Sequence, residues 1–239
     1  MNRIFVLFIS ISLIANVFVA CVHARGNEPF TTYTFSDIAI SSVNLVEVTT
    51  LNSSLTLTGS AESQAVVELY VSVNGNGSIF RRRNWSNEEI KRYLEENYTI
   101  EVKVDSEKLL AVAKPKTNGS QSLSISFKIT VPSQMNSNLR TTNGRIQISN
   151  LSGSQNLQAV NGSLKVDNVS GKISGRTTNG SINVLDSNDE IDLRSTNGSI
   201  TANNCNGIIE LRTTNGRITE TDCDGKIKLS TKNGRVVRR

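Results

Sequence analysis

The stretch "TTNGRI" at residues 141–146 returns as "AVNGSL" (159–164), "TTNGSI" (177–182), "STNGSI" (195–200), "TTNGRI" (213–218) and "TKNGRV" (231–236). Its Asn-Gly pairs are Asn143–Gly144, Asn161–Gly162, Asn179–Gly180, Asn197–Gly198, Asn215–Gly216 and Asn233–Gly234. Each step between them is 18 residues, with no insertion or deletion. Written in rows of that length, the chain shows columns. Ile146, Leu164, Ile182, Ile200, Ile218 and Val236 follow the glycines by two positions. Ile148, Val166, Val184 and Ala202 follow by four, and that column then turns polar at Glu220 and Arg238. Leu151, Val169, Ser187, Cys205 and Cys223 form another. A second turn glycine comes nine residues after the first, at Gly153, Gly171, Gly207 and Gly225, with Asp189 in its place once. Each row is therefore two short alternating strands separated by turns.

Asn-Gly between alternating strands is also the signature of a hairpin, so an antiparallel meander competes with a solenoid. The matching columns decide between them. In a meander nothing requires residues two strands apart to match, whereas in a solenoid each row stacks on its own copy and like packs on like. The expected fold is all-β: a right-handed parallel β-solenoid with 18-residue coils. Left-handed hexapeptide helices also make 18-residue coils, but their apolar positions recur every six residues, and here the internal period is nine. The Asn-Gly pairs are expected to be structural: left-handed turn residues whose stacked side-chain amides satisfy one another.

Upstream, "TLNSSLTLTG" (50–59) copies the repeat, with Asn52-Ser53 standing for Asn-Gly. Longer strands read at 65–73, 98–104, 108–113 and 123–131. A single short helix reads near 87–96, capped by Ser86 and Glu89 with Ile90 and Leu94 on its apolar side. The organisation is then residues 1–24 as a signal peptide and 25–135 as irregular, longer β coils carrying the inserted helix. Residues 136–239 are the regular repeats, continuous with the region before them.

The leader "MNRIFVLFISISLIANVFVA" has one basic residue and then an apolar run, as a Sec-type signal peptide does. "VHA" at 22–24 suits cleavage after Ala24. "FVAC" resembles a lipobox and offers lipidation at Cys21 as the alternative, and an uncleaved anchor is the third reading. Each places the mature chain outside the cytoplasm, in periplasm, outer membrane or cell surface.

Residues 30–237 resemble the bacterial putative-adhesin family of β-strand-repeat proteins, a domain-of-unknown-function group. The likeness rests on "NLVEVTTLNSSLTLTG", "SNEEIKRYLEENYTIEVK" and the passage "ISFKITVPSQMNSNLRTTNGRIQISNLSG" from strand into repeat. It implies a β-solenoid in an exported or envelope protein and supplies no catalytic motif.

The chain of 239 residues carries a net charge of +5, 37% apolar and 5% aromatic residues. No dense Lys/Arg block argues for nucleic acid. The one histidine, His23, lies in the leader, so the mature chain lacks the base of a Ser-His-Asp or Cys-His mechanism. No cofactor or metal is implied. One outward column, three residues before each Asn, reads Arg140, Gln158, Arg176, Arg194, Arg212 and Ser230. Asp192 and Glu210 stand where they can pair with Arg194 and Arg212. Arg supplies planar donors for carboxylate or phosphate, so this column, with Arg81, Arg82 and Arg83 upstream, is the candidate binding surface. The partners would be an anionic glycan, a lipid surface or an envelope protein. Two functions follow: a non-enzymatic envelope or surface scaffold of adhesin type, or a polysaccharide-active enzyme using carboxylates and Arg. For the latter, Asp186, Asp189, Glu190 and Asp192 cluster in the row that lost its turn glycine. Cys205 and Cys223 share an inward column and are expected to stack as thiols rather than to bridge.

Overall fold

The computed structural model describes residues 16–20, 31–73, 87–105, 107–117 and 123–239. Arg81, Arg82, Arg83, Ser86 and Cys21 lie outside the described residues, as do most of residues 1–24. Of residues 1–24 only β1 (Asn16–Ala20) is described, an edge strand antiparallel to β2 (Thr31–Ala39).

Period-2 alternation of apolar and polar residues builds the regular half from paired strands. On one side stand β9 (Asn136–Thr141), β11 (Gln155–Ala159), β13 (Lys172–Thr177), β15 (Asn188–Ser195), β17 (Asn206–Thr213) and β19 (Asp224–Thr231). On the other stand β10 (Ile146–Leu151), β12 (Leu164–Val169), β14 (Ile182–Leu185), β16 (Ile200–Asn203), β18 (Ile218–Thr221) and β20 (Val236–Arg238). Every coil contributes one strand to each of two sheets. Each strand pairs in parallel with its copy 18 residues away, as Ile146 with Leu164 and Arg194 with Arg212. The molecule is a parallel β-solenoid with 18-residue coils, flattened into two facing sheets.

The coil of β3 (Leu45–Thr50) and β4 (Leu55–Ser60) carries "TLNSSLTLTG" and stacks directly on β9 and β10. The chain then departs into β5 (Gln64–Val73), α1 (Asn87–Asn97), β6 (Tyr98–Asp105), β7 (Lys108–Pro115) and β8 (Leu123–Pro132). β7 and β8 cover the opposite face of the β3–β4 coil before the chain crosses to β9. That coil is thus held between two layers more than 45 residues away in sequence. The irregular region is not simply a run of longer coils. Its outermost pairs (β2 with β5, β5 with β8, β6 with β7) are antiparallel and close the end of the solenoid. α1 tucks Ile90 and Leu94 into the same core.

The core is the set of stacked columns. Ile146, Leu164, Ile182, Ile200 and Ile218 are fully buried. Gln155 interrupts the isoleucine column of Ile173, Ile191 and Ile209, and its amide is satisfied. Ser137 Oγ donates to its Oε1 at 2.5 Å, and its Nε2 donates to the Met135 and Gly153 carbonyls at 2.9 Å. Buried polar atoms need such partners. The Glu220–Arg238 pair forms as the columns suggest, at 2.6 Å, yet Glu220 lies buried with Arg238 exposed above it. Glu220 also accepts the Cys223 backbone N–H at 3.2 Å.

The Asn-Gly pairs require a correction. None of these asparagines or glycines has a positive φ. The left-handed positions are Asn150, Asn168, Asp186, Asn204 and Asp222, with Asp189, Gly171, Gly207 and Gly225 at the second turn. Glycine is needed at the first turn because a Cβ on each would overlap a main-chain carbonyl oxygen of the coil before, that of Ser53 beneath Gly144 and of the preceding glycine beneath the other five. The asparagine ladder itself forms. Asn143 Nδ2 donates to Asn52 Oδ1 at 2.6 Å, and Asn161, Asn179, Asn197, Asn215 and Asn233 each donate one coil back at 2.7 Å. A second ladder joins Asn168 to Asn150 and Asn204 to Asp186.

Candidate functional site

Strand alternation sends Leu139 and Thr141 inward and Arg140 outward, and every coil repeats that choice. The register is continuous: Thr49, Arg140, Gln158, Arg176, Arg194, Arg212 and Ser230 lie side by side across seven strands. Two residues on, where the chain leaves the strand for the Asn-Gly turn, stand Thr142, Val160, Thr178, Thr196, Thr214 and Lys232. These two columns line one groove of about 810 Å³ running along the solenoid axis. Six strand spacings make it about 29 Å long. The threonines between the columns turn inward: Thr177 and Thr213 donate to the Gly162 and Gly198 carbonyls at 2.8 and 2.9 Å, bracing the groove floor.

The four arginines are not equivalent. Arg194 makes a two-pronged bond to Asp192, both contacts at 3.0 Å. The pair holds the Arg194 guanidinium more firmly protonated, first through the hydrogen bond and then through charge. Arg212 pairs with Glu210, which also meets Lys228 at 3.2 Å. Lys228 and then Arg212 hold the Glu210 carboxyl below its usual range, so this network persists above that range and dissolves only as pH falls through the lowered value. Arg140 and Arg176 have Asn138 and Ser174 where those carboxylates stand, and among the described residues they have no carboxylate partner. Both are exposed. Among the described residues the guanidinium groups without a carboxylate are therefore those of the upstream half, while the downstream end carries Lys232 on its wall.

The acidic row separates rather than converging. Asp186 accepts from Asn204 at 2.5 Å, and Asp189 accepts the Gly171 N–H at 2.8 Å. Glu190 pairs with Lys172 at 2.7 Å, and Asp192 with Arg194. Among the described residues no group of three His, Cys, Asp or Glu side chains is placed to hold a metal ion, and no helix is long and apolar enough to cross a membrane.

No family model matches the chain, and no curated protein matches it. Two solved structures are similar in shape. One is named "putative cell adhesion protein" from Clostridium sporogenes, at 8% identity and TM-score 0.36, covering 94% of this chain and 99% of that one. The other is named "putative lipid binding protein" from Parabacteroides distasonis, at 12% identity and TM-score 0.34, covering 87% and 96%.

Cys205 and Cys223 are free thiols in one column, the first buried and the second half-buried. Each leans on a backbone carbonyl of its own turn, Asn203 at 3.3 Å and Thr221 at 3.4 Å. Burial pushes the Cys205 thiol up to about 11. Since the thiolate is the reactive form, alkylation of the folded protein is expected to label Cys223 well before Cys205. Intact mass over time checks this, and simultaneous labelling would contradict the burial.

Sequence reading found the arginine column and its two carboxylate partners but missed the opposite wall. Thr142, Val160 and Thr178 are visible as a column, yet "TT" before Asn-Gly reads as strand end and turn rather than as surface.

Proposed function

We propose that this chain is a non-enzymatic, exported envelope or cell-surface scaffold that binds anionic polymer through the arginine groove. The observation that carries the reading is the groove itself: two exposed arginines without carboxylate partners among the described residues, set in a track along the stack of coils. Arg140 and Arg176 offer planar donors suited to carboxylate or sulfate. The leader and the resemblance of residues 30–237 to the adhesin-type repeat family support an extracytoplasmic setting. The engagement of Asp186, Asp189, Glu190 and Asp192 in bonds within the coils supports a scaffold over a glycan-cleaving enzyme.

The test is binding of the purified protein to immobilised acidic polysaccharides and to vesicles containing anionic lipid. Replacing Arg140 and Arg176 together with Gln should weaken binding roughly twenty-five-fold at low salt and flatten its salt dependence. Unchanged binding by that variant rules the groove out. Release of reducing ends or unsaturated products would favour the enzyme instead.

A further inference from the structure

We propose, resting on the reading above, that the upstream groove is matched to a linear acidic glycan carrying its carboxylate on alternate sugars, laid along the solenoid axis. The walls of the groove alternate there with a period of two coils. The first coil presents Arg140 and Thr142, the next Gln158 and Val160, the third Arg176 and Thr178. Charge and hydroxyl therefore alternate with amide and apolar surface. The register places Arg140 and Arg176 two strands apart, about 9.6 Å by the sheet spacing.

An extended β-linked sugar chain advances by about one sheet spacing per ring, so successive rings fall on successive coils. A carboxylate on every second ring then meets Arg140 and Arg176 in turn, while Thr142 and Thr178 offer hydroxyls to the same rings. The intervening ring meets Gln158, whose amide both donates and accepts but carries no charge, as the hydroxyls or N-acyl group of a neutral sugar require. Val160, 44% exposed, supplies an apolar patch for that ring's C–H face.

A carboxylate on the intervening ring loses the arginine it would need. The downstream half lacks this alternation, because Arg194 and Arg212 follow on adjacent coils, each beside a threonine. There Asp192 and Glu210 occupy the guanidinium groups. The two carboxylates thus hold the downstream guanidinium groups away from ligand and act as specificity elements.

The experiment measures binding of the full chain to oligosaccharides of equal length. One is hyaluronate, with a carboxylate on alternate sugars; the other is oligomannuronate, likewise β-linked but with one on every sugar. Anionic vesicles are the third arm. Hyaluronate should bind tighter. R140Q and R176Q should each weaken it roughly fivefold, the range of a single exposed charge contact. K165Q, a charge change on the opposite sheet, should leave it unchanged.

The double variant D192N/E210Q frees Arg194 and Arg212 and completes an unbroken row from Arg176 to Arg212. Its preference should move toward oligomannuronate. Equal or tighter binding of oligomannuronate by the unmodified protein overturns the alternate-sugar proposal while leaving an anionic-polymer scaffold standing. A preference unmoved in D192N/E210Q overturns the role given to the two carboxylates. Binding to vesicles alone assigns the groove to lipid headgroups and overturns the glycan. Absence of binding to every acidic probe overturns the parent reading with it.

Discussion

Gly198→Ala is expected to cost more than about 4 kcal/mol, a loss outside the ordinary range for adding one methyl group. The added Cβ overlaps the Gly180 carbonyl oxygen and crowds the Ser181 backbone nitrogen, both parts of the main chain of the preceding coil. No rotamer change relieves it; two coils must separate at the corner where the asparagine ladder runs. Because each coil of a solenoid touches only its neighbours, separation at one interface uncouples everything beyond it. Amide exchange should therefore speed up across β16 to β20 while β9 to β13 keep their protection, and the urea transition should broaden or split.

Gly175→Ala is the control. Its Cβ meets only side-chain ends, Leu193 Cδ2 at 2.7 Å and Leu164 Cδ1 at 3.2 Å, and should cost at most about 1 kcal/mol. Gly198→Asn separates the two explanations of the motif. Asn tolerates a left-handed backbone, so a φ requirement would make it mild, whereas a stacking requirement makes it as damaging as Ala. Equal midpoints for the Gly198 and Gly175 alanine variants would overturn the stacking account.

That contrast shows where the sequence stops being legible. The 18-residue step and the columns of Ile146 and Leu151 report which residues stack, because a parallel register brings identical positions together. The asparagine ladder and the pairing of Arg194 with Asp192 follow from the same logic, two outward residues on one strand being neighbours. The reason for each glycine was hidden, since no periodicity reveals that one coil's carbonyl lies beneath the next coil's Cα. Placement of the β3–β4 coil was hidden too. Its repeat pattern shows that it is a coil, but local alternation says nothing about which distant strands will flank it. In the groove, the arginines stand out by charge, whereas Thr142, Val160 and Thr178 gain meaning only once the strand end is seen to curve back beside them. Even the mismatch at Gly175, where the column Leu139, Leu157, Leu193, Leu211 drops its side chain, looks in sequence like a mere weakening of the repeat.

In the fold Gly175 is filled from its neighbours, and Leu193→Ala should consequently be among the most costly core truncations. Leu193 is fully buried, and its Cδ2 reaches over the space that a side chain at position 175 would take. Truncating it opens the gaps at 175 and 193 together, on adjacent strands. With no side chain at 175 to collapse inward, the loss should reach about 4 kcal/mol, toward the upper end for a buried leucine. Leu211→Ala, flanked in register by Leu193 and Leu229, should cost about 3 kcal/mol, because its neighbours on both sides can relax toward the hole. The decisive measurement is a double-mutant cycle in urea. Gly175→Ala is mildly unfavourable in the unmodified protein, where its Cβ presses on Leu193. In the Leu193→Ala background the same methyl group enters the vacated space, buries apolar area and restricts the unfolded chain, so it should restore about 1 kcal/mol. The sign of the Gly175 substitution thus reverses between the two backgrounds, a coupling that sites acting independently do not show. Strict additivity of the two single changes would mean that Leu193 does not occupy the space at Gly175, and that the core closes over the missing leucine in some other way.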